Sequence, residues 1–288
     1  MIEMKKRGLL IILGLFFFVY SYSQEAVASH SDLNKFLKSK TYIIKDNNIM
    51  VDYNAEITDA AKKAWYITPY EIVDFSQFKH LRQNPEYSFV IQTVVYPDKD
   101  PNLQYDFLAV LLGGPYRDFN SMPQLATFPL SYHGDPDANY TYKLPVFLKF
   151  VQRHIEITHN DPKLNDKNIL KYYRNNMKNL KNKTLLVSRD QLDLDVSTLS
   201  EIKRYYPGEV KITDDDEIER RIKANDTTFV FVHIVGVPED VKSKLARCYK
   251  VILDVNGNLY YYGWHRVDNK YGNALLKSDF IKMAKNMH

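Results

Sequence analysis

Two long runs of hydrophobic residues dominate the pattern of the chain. Residues 87–97 read YSFVIQTVVYP and residues 227–238 read TTFVFVHIVGVP. Near-continuous runs rich in β-branched and aromatic residues are typical of strands buried on both faces of a sheet. A shorter apolar run precedes each of them, KTYII at 40–44 and KTLLV at 183–187. The pattern therefore predicts one α/β unit that occurs twice in tandem.

Apolar runs and helical spacing predict the same order of elements in both units. In the first unit we expect strands at residues 41–45, 70–74, 87–96, 106–112 and 125–132, and helices at 54–65, 76–83 and 144–157. In the second unit we expect strands at 184–188, 209–213, 227–237, 249–255 and 258–267, and helices at 197–206, after 214–217 and at 274–285. The predicted fold class is α/β, a tandem duplication of a β-α-β-α-β-β-β-α unit that forms a mixed sheet with helices on its faces.

These elements divide the chain into five segments. The predicted segments are a signal peptide at 1–23, a lead-in at 24–39, the first α/β repeat at 40–157, a helical connector at 158–182 and the second α/β repeat at 183–288. The helix of the connector has an apolar stripe and a basic opposite face, which we interpret as solvated.

The first residues have the pattern of an export signal. Lys5, Lys6 and Arg7 form a positive region, residues 9–20 are apolar, and small residues occur at 21–23. Because the apolar run is shorter than the roughly 20 residues that span a bilayer, we expect cleavage before Gln24 and export to the periplasm or the exterior. An uncleaved anchor is the alternative. No later stretch is long and apolar enough to predict stable membrane insertion.

Charge and cysteine content narrow the classes of function. The chain has 39 Lys and Arg against 35 Asp and Glu, and the signal segment holds three of the former and one of the latter. A nearly balanced mature chain gives no support for a nucleic-acid partner. Cys248 is the single cysteine, so an intrachain disulfide is excluded, and we expect a buried, inert thiol. No cofactor is predicted.

The element order of each unit resembles that of the thioredoxin fold. Residues 251–265, VILDVNGNLYYYGWH, are followed by a predicted helix and resemble the closing hairpin and helix of that fold. The resemblance covers each unit at the level of element order. The Cys-x-x-Cys motif of the family is missing, because residues 74–77 read DFSQ and residues 214–217 read DDDE. Redox activity is therefore not implied, and a generic doubly wound unit fits the same order.

Candidate chemistry lies at the ends of the last strands of both units. An aromatic residue, a histidine and a nearby aspartate occur in both places, and they could form a general base with its orienting carboxylate or bind a polar ligand. The alternative is that the fold reuses an aromatic residue and a hydrogen-bonded histidine where strand becomes loop. The candidate ligand-binding residues are Tyr132, His133, Asp135, Tyr262, Trp264, His265 and Asp268.

Other motifs argue against specific chemistries. Neither a Gly-x-Ser-x-Gly elbow nor a His-Glu-x-x-His pattern occurs, so a recognisable serine or zinc hydrolase is not predicted. His233 lies in the middle of a predicted strand and is interpreted as a core histidine with a satisfied hydrogen bond.

Two functions fit the sequence. The first is an exported, soluble, non-catalytic binding or interaction protein whose ligand stays unidentified. The alternative is an extracytoplasmic hydrolase that uses His133 or His265. The alternative requires one of these histidines in a concave site with a second catalytic group within hydrogen-bond reach.

Overall fold

The computed structural model describes residues 27–47, 52–97, 100, 102–164, 166–241 and 243–287. The predicted signal peptide at 1–23 lies outside these ranges. Among the helices within them, none combines the length and apolar character needed to cross a bilayer.

The observed elements follow the predicted order in both units. After a lead-in helix α1 (His30–Phe36), the first unit consists of β1 (Lys40–Ile44), α2 (Tyr53–Ala64), β2 (Tyr70–Val73), α3 (Phe75–Leu81), β3 (Tyr87–Val95), β4 (Tyr105–Leu112), β5 (Gln124–Tyr132) and α4 (Leu144–Asn160). A helix α5 (Asp166–Asn176) leads to the second unit, which consists of β6 (Thr184–Ser188), α6 (Leu199–Lys203), β7 (Glu209–Thr213), α7 (Asp215–Lys223), β8 (Phe229–Val235), β9 (Arg247–Leu253), β10 (Leu259–Arg266) and α8 (Lys277–Lys285).

Each unit contains one five-stranded mixed sheet, and the two sheets have the same topology. The strand orders are β2-β1-β3-β4-β5 and β7-β6-β8-β9-β10. The first three strands of each unit are parallel, and the last two continue the sheet as antiparallel neighbours. The predicted α/β class and the repeated element order are confirmed, and two such similar units are consistent with a tandem duplication.

Strand pairing corrects the alignment of the two units by one residue. Lys40 pairs with Tyr87 at the start of its ladder, and Thr184 pairs with Phe229 at the start of the corresponding one. Residues 40–44 therefore correspond to 184–188, whereas the sequence match aligned them with 183–187. The shift matters because a slip of one residue moves every side chain to the other face of a strand. With this register, Ile91 corresponds to His233.

One buried hydrophobic cluster contains residues of both units. We call the face of each sheet that carries the second helix of its unit, α3 or α7, its front face. Front-face residues of the second sheet, among them Leu186, Phe231 and Val251, belong to the same buried cluster as Tyr53 of α2 and Phe147 of α4. The helical side of the first unit therefore covers the front face of the second. The front face of the first sheet forms a separate cluster with Phe78 of α3.

The turn between β9 and β10 lies against α4, which explains why a glycine occurs in this turn. Gly257 has a φ of +73°, and a Cβ atom at this position would lie 2.5 Å from the backbone nitrogen of Phe150. The predicted Asn256-Gly257 hairpin is thus confirmed, and its glycine is required both by the turn and by the neighbouring unit. Nearby, Lys149 of α4 donates a hydrogen bond of 2.9 Å to the carbonyl of Val255.

Candidate functional sites at the carboxyl ends of the strands

His133 has an orienting carboxylate, but it comes from another strand than the sequence suggested. Its Nδ1 lies 2.9 Å from Oδ1 of Asp106 at the start of β4. The imidazole is half-exposed, whereas the side chain of Asp106 is buried. Burial raises the pKa of Asp106, and the hydrogen bond from His133 opposes that shift. Asp135 instead accepts a hydrogen bond of 3.0 Å from the backbone of Asp137.

His265 lies in a different environment and at a different register position. Its Nε2–H donates a 2.8 Å hydrogen bond to the carbonyl of Gly272, and burial lowers its pKa. Asp268 accepts hydrogen bonds from the backbone of the turn that follows it. His265 pairs with Cys248 as Ser131 pairs with Asp106, so His133 lies two residues beyond the equivalent position. The similar sequences around the two histidines therefore do not form equivalent sites.

The predicted aromatic residues have mixed roles. The hydroxyl of Tyr132 donates to the carbonyl of Asn102 at 2.8 Å, which fixes the loop before β4. Trp264 is 47% exposed, and the guanidinium carbon of Arg247 lies 4.7 Å from its ring centroid. Tyr262 is 36% exposed, and partial desolvation raises its pKa to about 12. These two side chains lie at the edge strand β10 and are not brought together with His133.

Strand order creates a cavity that the sequence did not reveal. The switch point of an open sheet is the place where the connections from two neighbouring strands run in opposite directions along the sheet. Ligands of such sheets bind outside the carboxyl ends of the strands at that point. The first sheet has its switch point between β1 and β3, and a cavity of about 760 Å³ lies there. We call it the front cavity. Its apolar lining includes Ile44, Phe75, Phe78, Ile91, Leu111, Phe119 and Met122.

Polar groups lie at the border of the front cavity. Nζ of Lys45 is 3.4 Å from Oδ1 of Asp74, and both side chains are exposed. Thr93 of β3 also lines the cavity, whereas the side chain of the neighbouring Gln92 lies on the opposite face of the strand, towards Asp106. The cavity therefore combines an apolar interior with a polar border, a combination common in small-molecule sites.

The corresponding place on the second sheet is filled by the first unit. His233, the counterpart of Ile91, is 3% exposed and donates through Nε2 to the carbonyl of Pro129 at 3.0 Å. The ring centroid of Phe147 lies 4.8 Å and that of Phe128 lies 5.7 Å from its imidazole. The interpretation of His233 as a satisfied core histidine is confirmed. Two aromatic side chains thus fill most of the position that the front cavity leaves open, and only a smaller cavity remains there.

A second, smaller cavity lies at the switch point of the second sheet, between the two units. Its volume is about 180 Å³, and residues from the carboxyl ends of β6 and β8 line it together with Tyr132, Asp135 and Lys143 of the first unit. His133 is not among the lining residues of either cavity.

The described part of the chain supports neither a metal site nor a reactive cysteine. No group of three or more His, Cys, Asp and Glu residues is placed to hold a metal ion there. Cys248 is fully buried, and burial raises the pKa of its thiol to about 12. The expectation of a buried cysteine is confirmed.

Comparison with known proteins found no matching protein family, no matching curated protein and no matching solved structure.

Proposed function

We propose that this chain is an exported binding protein that holds a small, mainly apolar molecule in the front cavity. The proposal rests on a difference between the front faces of the two units. The front face of the second sheet is closed by Phe128 and Phe147, whereas the same face of the first sheet carries an open cavity of about 760 Å³. This volume is in the range of roughly 300–1,000 Å³ that is usual for ligand pockets.

The proposed ligand has an apolar body and a polar group at one end. The apolar body would displace water from Ile44, Ile91, Phe78 and their neighbours, and burial of apolar surface supplies the driving force. The polar group would stay at the border of the cavity, beside the exposed Lys45 and Asp74. Export remains supported by the residues of the segment 1–23. A secreted or periplasmic chain that begins at Gln24, measured by mass spectrometry, supports it, and an intact Met1 contradicts it.

Filling the front cavity is expected to remove binding. Thr93 lies on the front face beside Ile91 and lines the cavity, so Thr93→Trp should place an indole inside it. We expect the affinity for anilinonaphthalene sulfonate, a fluorescent dye with an apolar aromatic body and one sulfonate, to fall by about tenfold or more, measured by titration of dye fluorescence. Leu194→Trp is the matched control, because Leu194 is 88% exposed in the second unit. Equal dye binding by both variants would refute the front cavity as the site.

A hydrolase that uses His133 is a second candidate because of the buried carboxylate of Asp106. A His–Asp pair is the arrangement that orients a general base, and His133 is half-exposed. His265 gives this candidate less support, because its hydrogen bond goes to a backbone carbonyl. Incubation of the protein with short-chain acyl esters, which are then recovered for mass spectrometry, distinguishes the two functions. A binding protein returns them unchanged, whereas a hydrolase cleaves them and loses this activity in His133→Gln.

A further inference from the structure

The cavity between the two units contains a buried lysine from the first unit. Lys143 lies in the 3-10 turn Thr141–Lys143, directly before α4, and is 3% exposed. It lines the cavity at the carboxyl ends of the strands of the second sheet, where Asp190 follows β6 and Gly236 follows β8. The first unit thus places a cationic group at the switch point of the second sheet, the position at which sheets of this order bind ligands.

Lys143 has no anionic partner in direct contact. Among the described residues, its Nζ makes neither a hydrogen bond nor an ion pair within 4.0 Å, and it lies 4.9 Å from the ring centroid of Tyr142. Burial lowers the pKa of Lys143, and the charges of Asp215 and Asp190 oppose this shift. Because burial of an unpaired ammonium is costly, an anionic group supplied by a ligand would be stabilising.

The same cavity is rich in carboxylates. Asp190 follows β6, Asp215 begins α7, and Asp135 and Asp137 belong to the loop after β5. Oδ2 of Asp215 accepts a 3.0 Å hydrogen bond from Asn139, whereas its Oδ1 is buried without a hydrogen-bond partner in the described structure. A simple anion would approach Lys143 at the cost of repulsion from these carboxylates, whereas a simple cation would be attracted by the carboxylates but would leave Lys143 without an anionic partner.

We propose that this cavity binds a small zwitterion with one carboxylate and one ammonium group, of the size of a small free amino acid. The carboxylate would pair with Lys143 and the ammonium with Asp215, so that each buried charge gains its opposite. The volume of about 180 Å³ corresponds to about six water molecules at roughly 30 Å³ each, which limits the ligand to a few non-hydrogen atoms beyond its charged groups. This site is independent of the front cavity and of the function proposed for it.

Calorimetric titration of the mature chain tests the proposal with four probes: glycine, alanine, acetate and methylammonium. We expect saturable binding of glycine or alanine and at least about tenfold weaker binding of acetate and methylammonium. Lys143→Met and Asp215→Asn should each weaken amino-acid binding by about tenfold or more, whereas the exposed control Lys203→Met should leave it unchanged.

Three outcomes of these titrations would overturn the proposal. It fails if neither amino acid binds, if acetate binds as tightly as glycine, or if both cavity variants retain wild-type affinity. Thermal unfolding of each variant shows whether it is folded. If Lys143→Met does not fold, the result for Asp215→Asn decides, because Asp215 lies at a helix start and is only partly buried.

Discussion

Replacement of Lys250 with methionine is expected to lower the free energy of unfolding by about 3–5 kcal/mol. Lys250 of β9 is 1% exposed, and its ammonium pairs with Asp279 in α8. The same carboxylate accepts hydrogen bonds from the hydroxyl of Tyr261 and, at 2.8 Å, from the backbone of Leu276. Loss of Lys250 leaves a buried carboxylate without a counter-charge, which is the costly half of breaking a buried ion pair. Denaturant unfolding monitored by circular dichroism measures the effect.

An exposed pair of similar geometry provides the control for Lys250. Lys211 of β7 pairs with Glu217 of α7 at 3.0 Å, also between a strand and a helix, but Lys211 is half-exposed to solvent. Lys211→Met should therefore have a much smaller effect, because the pair is partly exposed and the carboxylate of Glu217 keeps Arg220 and Arg221 as partners. Similar decreases in the free energy of unfolding for the two variants would show that burial of the Lys250–Asp279 pair does not determine its contribution to stability.

Lowering the pH is expected to destabilise the contact between the two units through His233. Burial lowers the pKa of His233 to about 3, with a further contribution from the charge of Lys143. The unfolded chain takes up a proton near the ordinary histidine pKa of 6.5, which the folded chain does not. The contribution of His233 to stability is therefore complete above pH 6.5 and decreases as the pH falls towards 3. The decrease is about 1.4 kcal/mol per pH unit, or about 3 kcal/mol at pH 4.5.

The variant His233→Gln should show a shallower dependence of stability on pH than the wild type. Glutamine retains a donor for the carbonyl of Pro129 but does not titrate. The free energy of unfolding, measured from pH 7 to pH 4.5, should fall by about 3 kcal/mol less in this variant. His80→Gln, at an exposed position of α3, serves as the control and should follow the wild-type curve. Parallel curves for wild type and His233→Gln would contradict a neutral, buried His233.

Elements whose signal is local were predictable from the sequence. The long apolar strands β3 and β8 and the Asn256-Gly257 hairpin were found because their patterns are carried by neighbouring residues. Helix starts were less accurate. The sequence predicted a helix at 197–206, whereas α6 begins at Leu199 with Thr198 as its cap, in a reciprocal pair with Glu201. Ser197 and Thr198 are both good caps, and the choice depends on where the preceding turn ends.

The sites depended on contacts that the sequence does not reveal. Asp106 is 27 residues from His133, and only the pairing of β4 with β5 brings them together. The candidate Asp135 was chosen because it is close in sequence, yet it stabilises its own turn. The cavities arise from strand order, and strand order is set by packing between distant segments rather than by periodicity. The one-residue error in aligning the units also concealed that Ile91 and His233 are equivalent.

The central claim is that the first unit closes the front face of the second, while its own front face is left open as a ligand site. Methyl-resolved NMR during titration with indole tests this claim most directly. We predict saturable chemical-shift changes at Ile44, Ile91, Leu111 and Met122 in the front cavity, with no changes at Leu186 and Val251 on the front face of the second sheet. Changes of equal size in both units, or none at the front cavity, would contradict the account.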